Sequence, residues 1–381
     1  MNENSSKQPE RRDILRAFRR AWNFVLRTPI SSLILALLVS ALIVMLLGYN
    51  PVEIYKYIFI GAFGNWDNIV TTLGQMTPVL FCGLSYLLAR MCGLSNMGME
   101  GQYLAGAFAA AVMGIYVPKS MLWLGPVIPL LAAAFWGGLI AFLPAILKRM
   151  FGSNEMLVSL MINYALTYLC QYLVNYVFMN PDNIIPVTSP VQEATHLSQL
   201  VPGTQLTTGF LIAIAFTVIM WFVLYKTIPG YKIRAVGANT SAAMYKGLRI
   251  GRIQMWTYVV AGMIGGIGGG VQVLGVHYYY IHGMTTGYGW DGIAAALLGA
   301  GEPFGNIAGS LVYGALRAGS LYLSRMTDVN SDFIYVIEGV MILFIAMPEM
   351  MRHFMFKEEP EGKIPKIREV KKVKSTPKSE V

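Results

Sequence analysis

The stretch GLSNMGMEGQYLAGAFAAA, residues 93–111, carries one charged side chain, Glu100, within a sequence that otherwise is typical of a membrane helix. Gly98 and Gly101 flank it closely. An acidic side chain such as Asp at the centre of a membrane helix costs about 2.5–3.5 kcal/mol. A carboxylate between glycines can instead accept free N–H groups at a helix N-terminus. We therefore expect a helix break here, with Glu100 as a cap, a wall of a substrate pathway or a substrate contact.

The composition indicates that this stretch belongs to a membrane protein. Of the 381 residues, 55% are hydrophobic and 13% are charged, whereas a soluble domain carries about 25% charged residues. A membrane-spanning helix needs about 20 mostly apolar residues. Ten segments are candidates: 30–49, 69–89, 96–116, 121–147, 156–179, 208–226, 254–276, 286–301, 304–323 and 332–348. The sequence therefore predicts an all-α polytopic membrane protein with about ten transmembrane helices, of which the eighth is short and glycine-rich.

The lysines and arginines orient these predicted spans. If the N-terminus is inside and each segment crosses once, 25 of the 29 basic residues fall on the inner side, and only Lys56, Lys119 and Arg325 fall on the outer side. Inner loops of membrane proteins carry such an excess of positive charge. Both termini are therefore predicted to be cytoplasmic, and the net charge of +9 is expected to face anionic lipid headgroups, not nucleic acid.

Three regions follow from this topology. Residues 1–29 interleave basic and apolar side chains, a pattern typical of an amphipathic helix on the cytoplasmic membrane surface. Residues 30–348 form the transmembrane domain, and residues 349–381 form a charged cytoplasmic tail without a core-forming pattern. We expect a multi-pass protein of a bacterial-type cell membrane, with no separate soluble domain.

The longest inner loop, residues 227–252, is predicted to contain a short helix. Asn239 or Thr240 can cap the helix start, and Gly247 can end it. About six helical residues remain between them, too few to hold a helix alone in water. The loop is therefore either an ordinary positively charged loop or a coupling helix that docks into a partner protein.

The Gly-x-acid-Gly pattern around Glu100 occurs a second time, at residues 289–292, where the acidic residue is Asp291. The first copy opens the third predicted span, which runs outward, and the second opens the eighth, which runs inward. These are the second members of spans 2–5 and 7–10. We therefore predict an inverted repeat, an arrangement in which broken helices surround the substrate site. The alternative roles of Glu100 apply equally to Asp291.

Two further charges, Arg317 and Glu338, lie inside predicted spans. Each is six residues from the outer end of its span, or about 9 Å deep at 1.5 Å per residue. Neighbouring antiparallel helices can pair such charges, which lowers the cost of burying each one. We predict a structural ion pair between them, with a proton relay as the rival interpretation.

Four motifs carry a resemblance to a known family. They are RAVGANTSAAMYKGL at residues 234–248, NEMLVSLMINYALTYLCQYLV at 154–174, NMGMEGQ at 96–102 and WDGIAAALLGAGEPFG at 290–305. Together they resemble the permease subunits of ABC importers in the branched-chain amino acid, ribose and nucleoside group. The resemblance is greatest to nucleoside permeases that work with BmpA-type lipoprotein receptors, and it covers residues 30–348.

The resemblance implies which residues act in transport. The residues that match the family's coupling loop are Arg234, Gly237, Asn239, Ala242, Ala243, Tyr245 and Gly247. The polar residues expected beside the substrate pathway are Asn96, Glu100, Gln102, Asn163 and Asp291. The implied activity is alternating-access import of nucleosides. The partners implied are ATP-binding cassette ATPase subunits, a second identical or related permease, and an extracytoplasmic lipoprotein receptor.

No enzymatic activity is expected from this chain. It lacks the phosphate-binding pattern G-x-x-x-x-G-K-[ST], so ATP and magnesium are expected on the partner ATPase. It also lacks H-E-x-x-H, G-x-S-x-G and any clustered metal ligands, so neither a catalytic residue nor a metal site is predicted. Two alternatives stay open: the same machinery importing a sugar such as ribose, and an ion-coupled secondary transporter that uses Glu100 or Asp291.

Overall fold

A computed structural model describes residues 29–118, 124–284, 287–327, 335–340 and 342–343. The predicted amphipathic segment before Pro29 and the charged C-terminal tail lie outside these residues. The described part of the chain is helical, with two isolated β-bridges and no β-strand. This confirms the predicted all-α class.

Most of the helices follow one another with short connections, but a long one joins Tyr176 to Thr208. In chain order they are α1 (Pro29–Leu46), α2 (Pro51–Phe63), α3 (Trp66–Met91), α4 (Met99–Tyr116), α5 (Val127–Phe151), α6 (Glu155–Tyr176), α7 (Thr208–Lys226), α8 (Ile228–Ala238), α9 (Thr240–Tyr245), α10 (Ile250–Gln272), α11 (Tyr288–Leu298) and α12 (Pro303–Met326). A π-helical turn, Val273–His277, extends α10, and residues 335–340 are also helical.

Among the described helices, five are long and apolar enough to cross a membrane: α3, α5, α6, α7 and α10 with its π-helical extension. The sequence predicted no span at α2, which packs against α12. At α11 the helix is shorter than the span predicted over 286–301. Its 11 residues extend about 16 Å, roughly half of the ~30 Å hydrocarbon core.

Short polar side chains begin several of these helices. Asn65 and Asn154 accept hydrogen bonds from backbone N–H groups in the first turns of α3 and α6, at 2.8 and 2.9 Å. Thr207 does the same for α7. These side chains satisfy N–H groups that have no partner within the helix, which explains why each helix begins where it does.

The glycine-rich helix α10 forms the centre of the bundle and packs against α3, α4 and α5. A Cβ at Gly266 would overlap the backbone of α5 at Ala133 and Gly137, and Gly266 itself blocks a Cβ at Gly106 of α4. Close backbone approach through small residues drives helix association in membranes. In an apolar stretch of 18 residues, 94% of the residues of α3 and 78% of those of α10 are buried in the protein, whereas the share is only 28% in α6 and in α7.

Candidate functional site

The predicted helix break before α4 is built from buried amide side chains. Asn96 and Gln102 exchange two hydrogen bonds through their side-chain amides, at 3.0 and 3.1 Å. The Asn96 oxygen also accepts from the N–H of Gly98 at 3.0 Å, and its NH₂ group donates to the hydroxyl of Ser85. Asn96, which is completely buried, thus ties the loop before α4 to Ser85 of α3 and Gln102 of α4.

Asn163 ties α6 to the same break. Its side-chain oxygen accepts from the N–H of Gly101 at 2.9 Å, and its NH₂ group donates to the carbonyl of Met97 at 2.7 Å. The amide is 7% exposed. The three predicted amides, Asn96, Gln102 and Asn163, are therefore all bonded within the protein. Their contact with a substrate stays a prediction.

The two Gly-x-acid-Gly motifs meet in space. The Glu100 carboxylate accepts a 2.7 Å hydrogen bond from the N–H of Gly289, in the first turn of α11. That N–H has no partner within its own helix, and a negative charge is favourable at a helix N-terminus. A Cβ at Gly289 would come within 2.6–3.0 Å of Glu100 atoms. The start of α4 and the start of α11 are therefore packed against each other and joined by a hydrogen bond.

Arg317 of α12 holds the same end of α11. Its Nε lies 2.5 Å from the carboxylate of Asp291 and 3.8 Å from that of Glu338. The guanidinium also lies over the ring of Tyr288, 4.4 Å from its centre. Arg317, Asp291 and Glu338 are at most 8% exposed. The sequence paired Arg317 with Glu338, and the structure adds Asp291 as the nearer carboxylate.

A polar chain that sequence reasoning missed continues from this cluster. The Tyr288 hydroxyl donates to the side-chain oxygen of Gln75 at 3.0 Å, and the Gln75 NH₂ group donates to Gln205 at 2.8 Å. Tyr288 and Gln75 are separated by 213 residues. No local pattern reports such a contact, although an isolated glutamine in a membrane helix is a signal worth noting.

The predicted short helix is present as α9. The Asn239 side-chain oxygen accepts from the N–H of Ala242 at 2.9 Å and caps the helix, and Gly247 follows it with φ of +76°. Ala243 is buried with Cys92 and Val236. Tyr245 is 94% exposed, and Met244 beside it is 64% exposed. One face of α9 is thus anchored to the bundle while the other is free to bind a partner.

The preceding helix α8 connects this surface to the helix break. Gly237 packs against the backbone of Met91 and Gly93, so closely that a Cβ would overlap both. Gly93 begins the loop that leads to α4. Arg234 donates to the carbonyl of Leu224 at 3.0 Å and lies over the Tyr225 ring, which fixes α8 to the end of α7. The loop and the break are therefore in direct backbone contact.

Two helix starts that meet inside a helical membrane protein, together with an anchored helix exposed at one end, suit a transport permease. The family model described as "Branched-chain amino acid transport system / permease component" matches residues 68–346. The chain belongs to this family of permease components and is an integral membrane protein.

Curated relatives agree with this assignment. The guanosine ABC transporter permease protein NupP of Bacillus subtilis is 32% identical over 351 residues, covering 88% of this chain and 97% of the relative. The nucleoside ABC transporter permease protein NupB of Lactococcus lactis is 29% identical over 92% of this chain and 96% of the relative. The glucose ABC transporter permease protein TsgB13 of Haloferax volcanii is 26% identical over 86% and 88%. No solved structure gave a significant match.

Proposed function

We propose that this chain is the transmembrane permease subunit of an ABC importer that carries nucleosides. The observation that carries the proposal is its similarity, over almost the whole of both chains, to permeases named for guanosine and for nucleosides. ATP hydrolysis then takes place on separate ATPase subunits, because the chain has no phosphate-binding loop. A sugar is the second candidate substrate, since the relative named for glucose is 26% identical.

The proposed topology has ten spans with both termini in the cytoplasm, and the distribution of lysine and arginine supports it. In this orientation α9 and the junction of α5 with α6 face the cytoplasm, while the loop at residues 180–206 faces outward. The meeting of the breaks at Glu100 and Gly289 supports an inverted repeat, because two equivalent helix starts then face each other inside the membrane.

Coupling to the ATPase would run through α8 and α9. The exposed face at Met244 and Tyr245 offers a docking surface for an ATPase subunit. Gly237 lies at the end of α8, just before α9. Movement of α9 would therefore reach Gly93, since the backbones of Gly237 and Gly93 are in contact. It would then pass along the loop to α4 and to the joined breaks at Glu100 and Gly289. The remaining proposed partners are a second permease chain, identical or related, and a lipoprotein receptor at the outer face.

The proposal is tested by nucleoside uptake into membrane vesicles that contain this chain with its ATPase, permease and receptor partners. We expect uptake of labelled guanosine that requires ATP and stops when the ATPase is inactivated, with little competition from glucose or ribose. Competition by a sugar, and uptake of that sugar, would favour the second candidate. Uptake that follows a proton gradient and persists without an ATPase would instead indicate a secondary transporter.

A further inference from the structure

Helix α6 carries a stripe of exposed tyrosines along its length. Tyr164, Tyr168, Tyr172 and Tyr176 follow one another every four residues and are 67%, 69%, 57% and 76% exposed. Residues four apart lie on the same face of a helix, about 6 Å apart along the axis. The rings of Tyr172 and Tyr176 are 5.2 Å apart. We call these four residues the tyrosine stripe.

The depth of the tyrosine stripe distinguishes it from an aromatic belt. Aromatic belts lie at the two membrane surfaces. Tyr164 is nine residues beyond Glu155, where α6 begins, and therefore lies about 14 Å into the helix. From there the stripe continues to the outer end at Tyr176. A phenol hydroxyl has no hydrogen-bond partner among lipid tails, which makes its exposure to them unfavourable.

The exposed faces of α7 and α1 carry the kind of side chain that is expected in contact with lipid. On α7 the exposed side chains Leu211, Ile219 and Phe222 are purely apolar. On α1 the exposed face carries Ile34 and Leu38. These faces present no hydroxyl group in the middle of the helix. The tyrosine stripe departs from this apolar pattern.

A tightly packed second copy of the chain is a poor match for this stripe. Where helices of this protein approach closely, glycine backbones make the contact, as at Gly106 and Gly266. Four phenol side chains instead hold a neighbouring helix away and leave space. The stripe also carries no charge at neutral pH, because α6 has no Asp, Glu, Lys, Arg or His after Glu155. An uncharged, aromatic, hydroxyl-bearing wall suits a neutral aromatic solute.

Several of the polar residues predicted for substrate contact are already bonded to other groups of the protein, so other side chains are needed to bind the solute. The amides of Asn96 and Asn163 bond to the backbone of the break, and Asp291 is paired with Arg317. Binding sites for small molecules consist mainly of apolar and aromatic side chains with a few polar groups. We propose that the tyrosine stripe lines the substrate pathway and that its rings stack on the base of a nucleoside as it crosses. This inference rests on the proposed function.

The regular spacing of the tyrosine rings along α6 suits a solute that moves through the pathway better than one that is held at a single site. Stacking on an aromatic ring tolerates any base, because every base has a π-face. Equivalent rings at ~6 Å steps offer several similar positions, and conduction requires binding that is spread over sites and weak enough to leave. The stripe thus provides a track from the outer end of α6 to the middle of the membrane.

Thiol labelling tests where the stripe faces. Tyr168→Cys is compared with Ile219→Cys, which is 55% exposed on α7, in the transporter assembled with its partners in lipid nanodiscs. The wild type measures background, since its own cysteines, Cys82, Cys92 and Cys170, are buried. We expect a charged, water-soluble maleimide to label Tyr168→Cys about tenfold faster than Ile219→Cys, because the reagent avoids hydrocarbon. Guanosine should slow the labelling of Tyr168→Cys.

Three results would overturn the inference. Equally slow labelling at both positions would place the stripe in lipid. Rapid labelling that guanosine does not slow, or a disulfide between two copies at Tyr168→Cys, would assign the stripe to a contact between copies. Guanosine uptake by the wild type in the same preparation separates the two proposals. If the wild type takes up glucose but no guanosine, the proposed function is wrong.

Transport by ring variants gives a second, independent measurement. Tyr168→Phe keeps the ring and should retain guanosine uptake within about twofold, whereas Tyr168→Leu should lose about tenfold, the effect expected for one base–aromatic stack. Phe222→Leu on α7 is the matched control for removing an exposed ring and should have no effect. Equal uptake by Tyr168→Leu and the wild type would contradict stacking.

Discussion

Glu100 and Gly289 join the starts of α4 and α11, because the Glu100 carboxylate accepts a 2.7 Å hydrogen bond from the Gly289 N–H across 189 residues of sequence. The one charged side chain of residues 93–111 is thus bonded to the start of another helix. A hydrogen bond to a free N–H group needs an oxygen acceptor, but the acceptor need not be ionised.

We therefore expect Glu100→Gln to keep nucleoside uptake, because the glutamine oxygen can still accept from Gly289. Glu100→Ala removes the acceptor and should cost about 1 kcal/mol, typical of a lost helix cap, together with most of the uptake. Uptake and thermal unfolding of the solubilised protein measure these effects. Loss of uptake in Glu100→Gln at normal stability would mean that ionisation of Glu100 carries the mechanism.

Gly289→Ala should destabilise the protein by about 1–3 kcal/mol, the usual cost of overpacking. The new methyl group would lie 2.6 Å from the Glu100 carboxylate and 2.8 Å from its backbone nitrogen. Gly251→Ala is the control, since its Cβ would meet nothing closer than 3.4 Å. Thermal unfolding in detergent compares the two variants. Equal stability of both would contradict the close contact at the breaks.

Arg317→Ala should be strongly destabilising, by about 3–5 kcal/mol, because it leaves buried carboxylates without their cation. The double variant Arg317→Ala/Glu338→Ala removes one of these carboxylates and should recover part of the loss. Arg317→Ala/Asp291→Asn should recover more, since Asp291 lies nearer to Arg317. The unfolding temperatures of the solubilised variants measure this. A double variant no more stable than Arg317→Ala would argue against the corresponding pair.

Tyr245→Ala should uncouple the ATPase from transport without affecting the fold. Its side chain is 94% exposed, so the free energy of unfolding should change by only about 0.5 kcal/mol. Uptake should nevertheless fall about tenfold, as expected for a central aromatic residue of a protein interface. Tyr231→Ala, on α8 and 54% exposed, is the control. Normal uptake in Tyr245→Ala would exclude this residue from the coupling surface.

Local sequence patterns were sufficient for many of the helices and for several of their ends, although none predicted α2. Apolar runs predicted the five described helices that are long and apolar enough to cross a membrane, because the length of such a helix is set by the membrane it crosses. The Asn239 cap and Gly247 predicted α9 to within one residue. The glycines around Glu100 and Asp291 marked the two starts of α4 and α11. Each of these features depends on residues close together in sequence.

Contacts between distant parts of the chain could be read only from the tertiary structure. The bond from Gly289 to Glu100, the approach of Asp291 to Arg317 and the chain through Gln75 join residues that no periodicity relates. The four-residue spacing of the tyrosine stripe is visible in the sequence, but its exposure depends on how α6 packs. Local propensity and burial in lipid act along the chain, whereas the partners of a buried charge are chosen by packing in three dimensions.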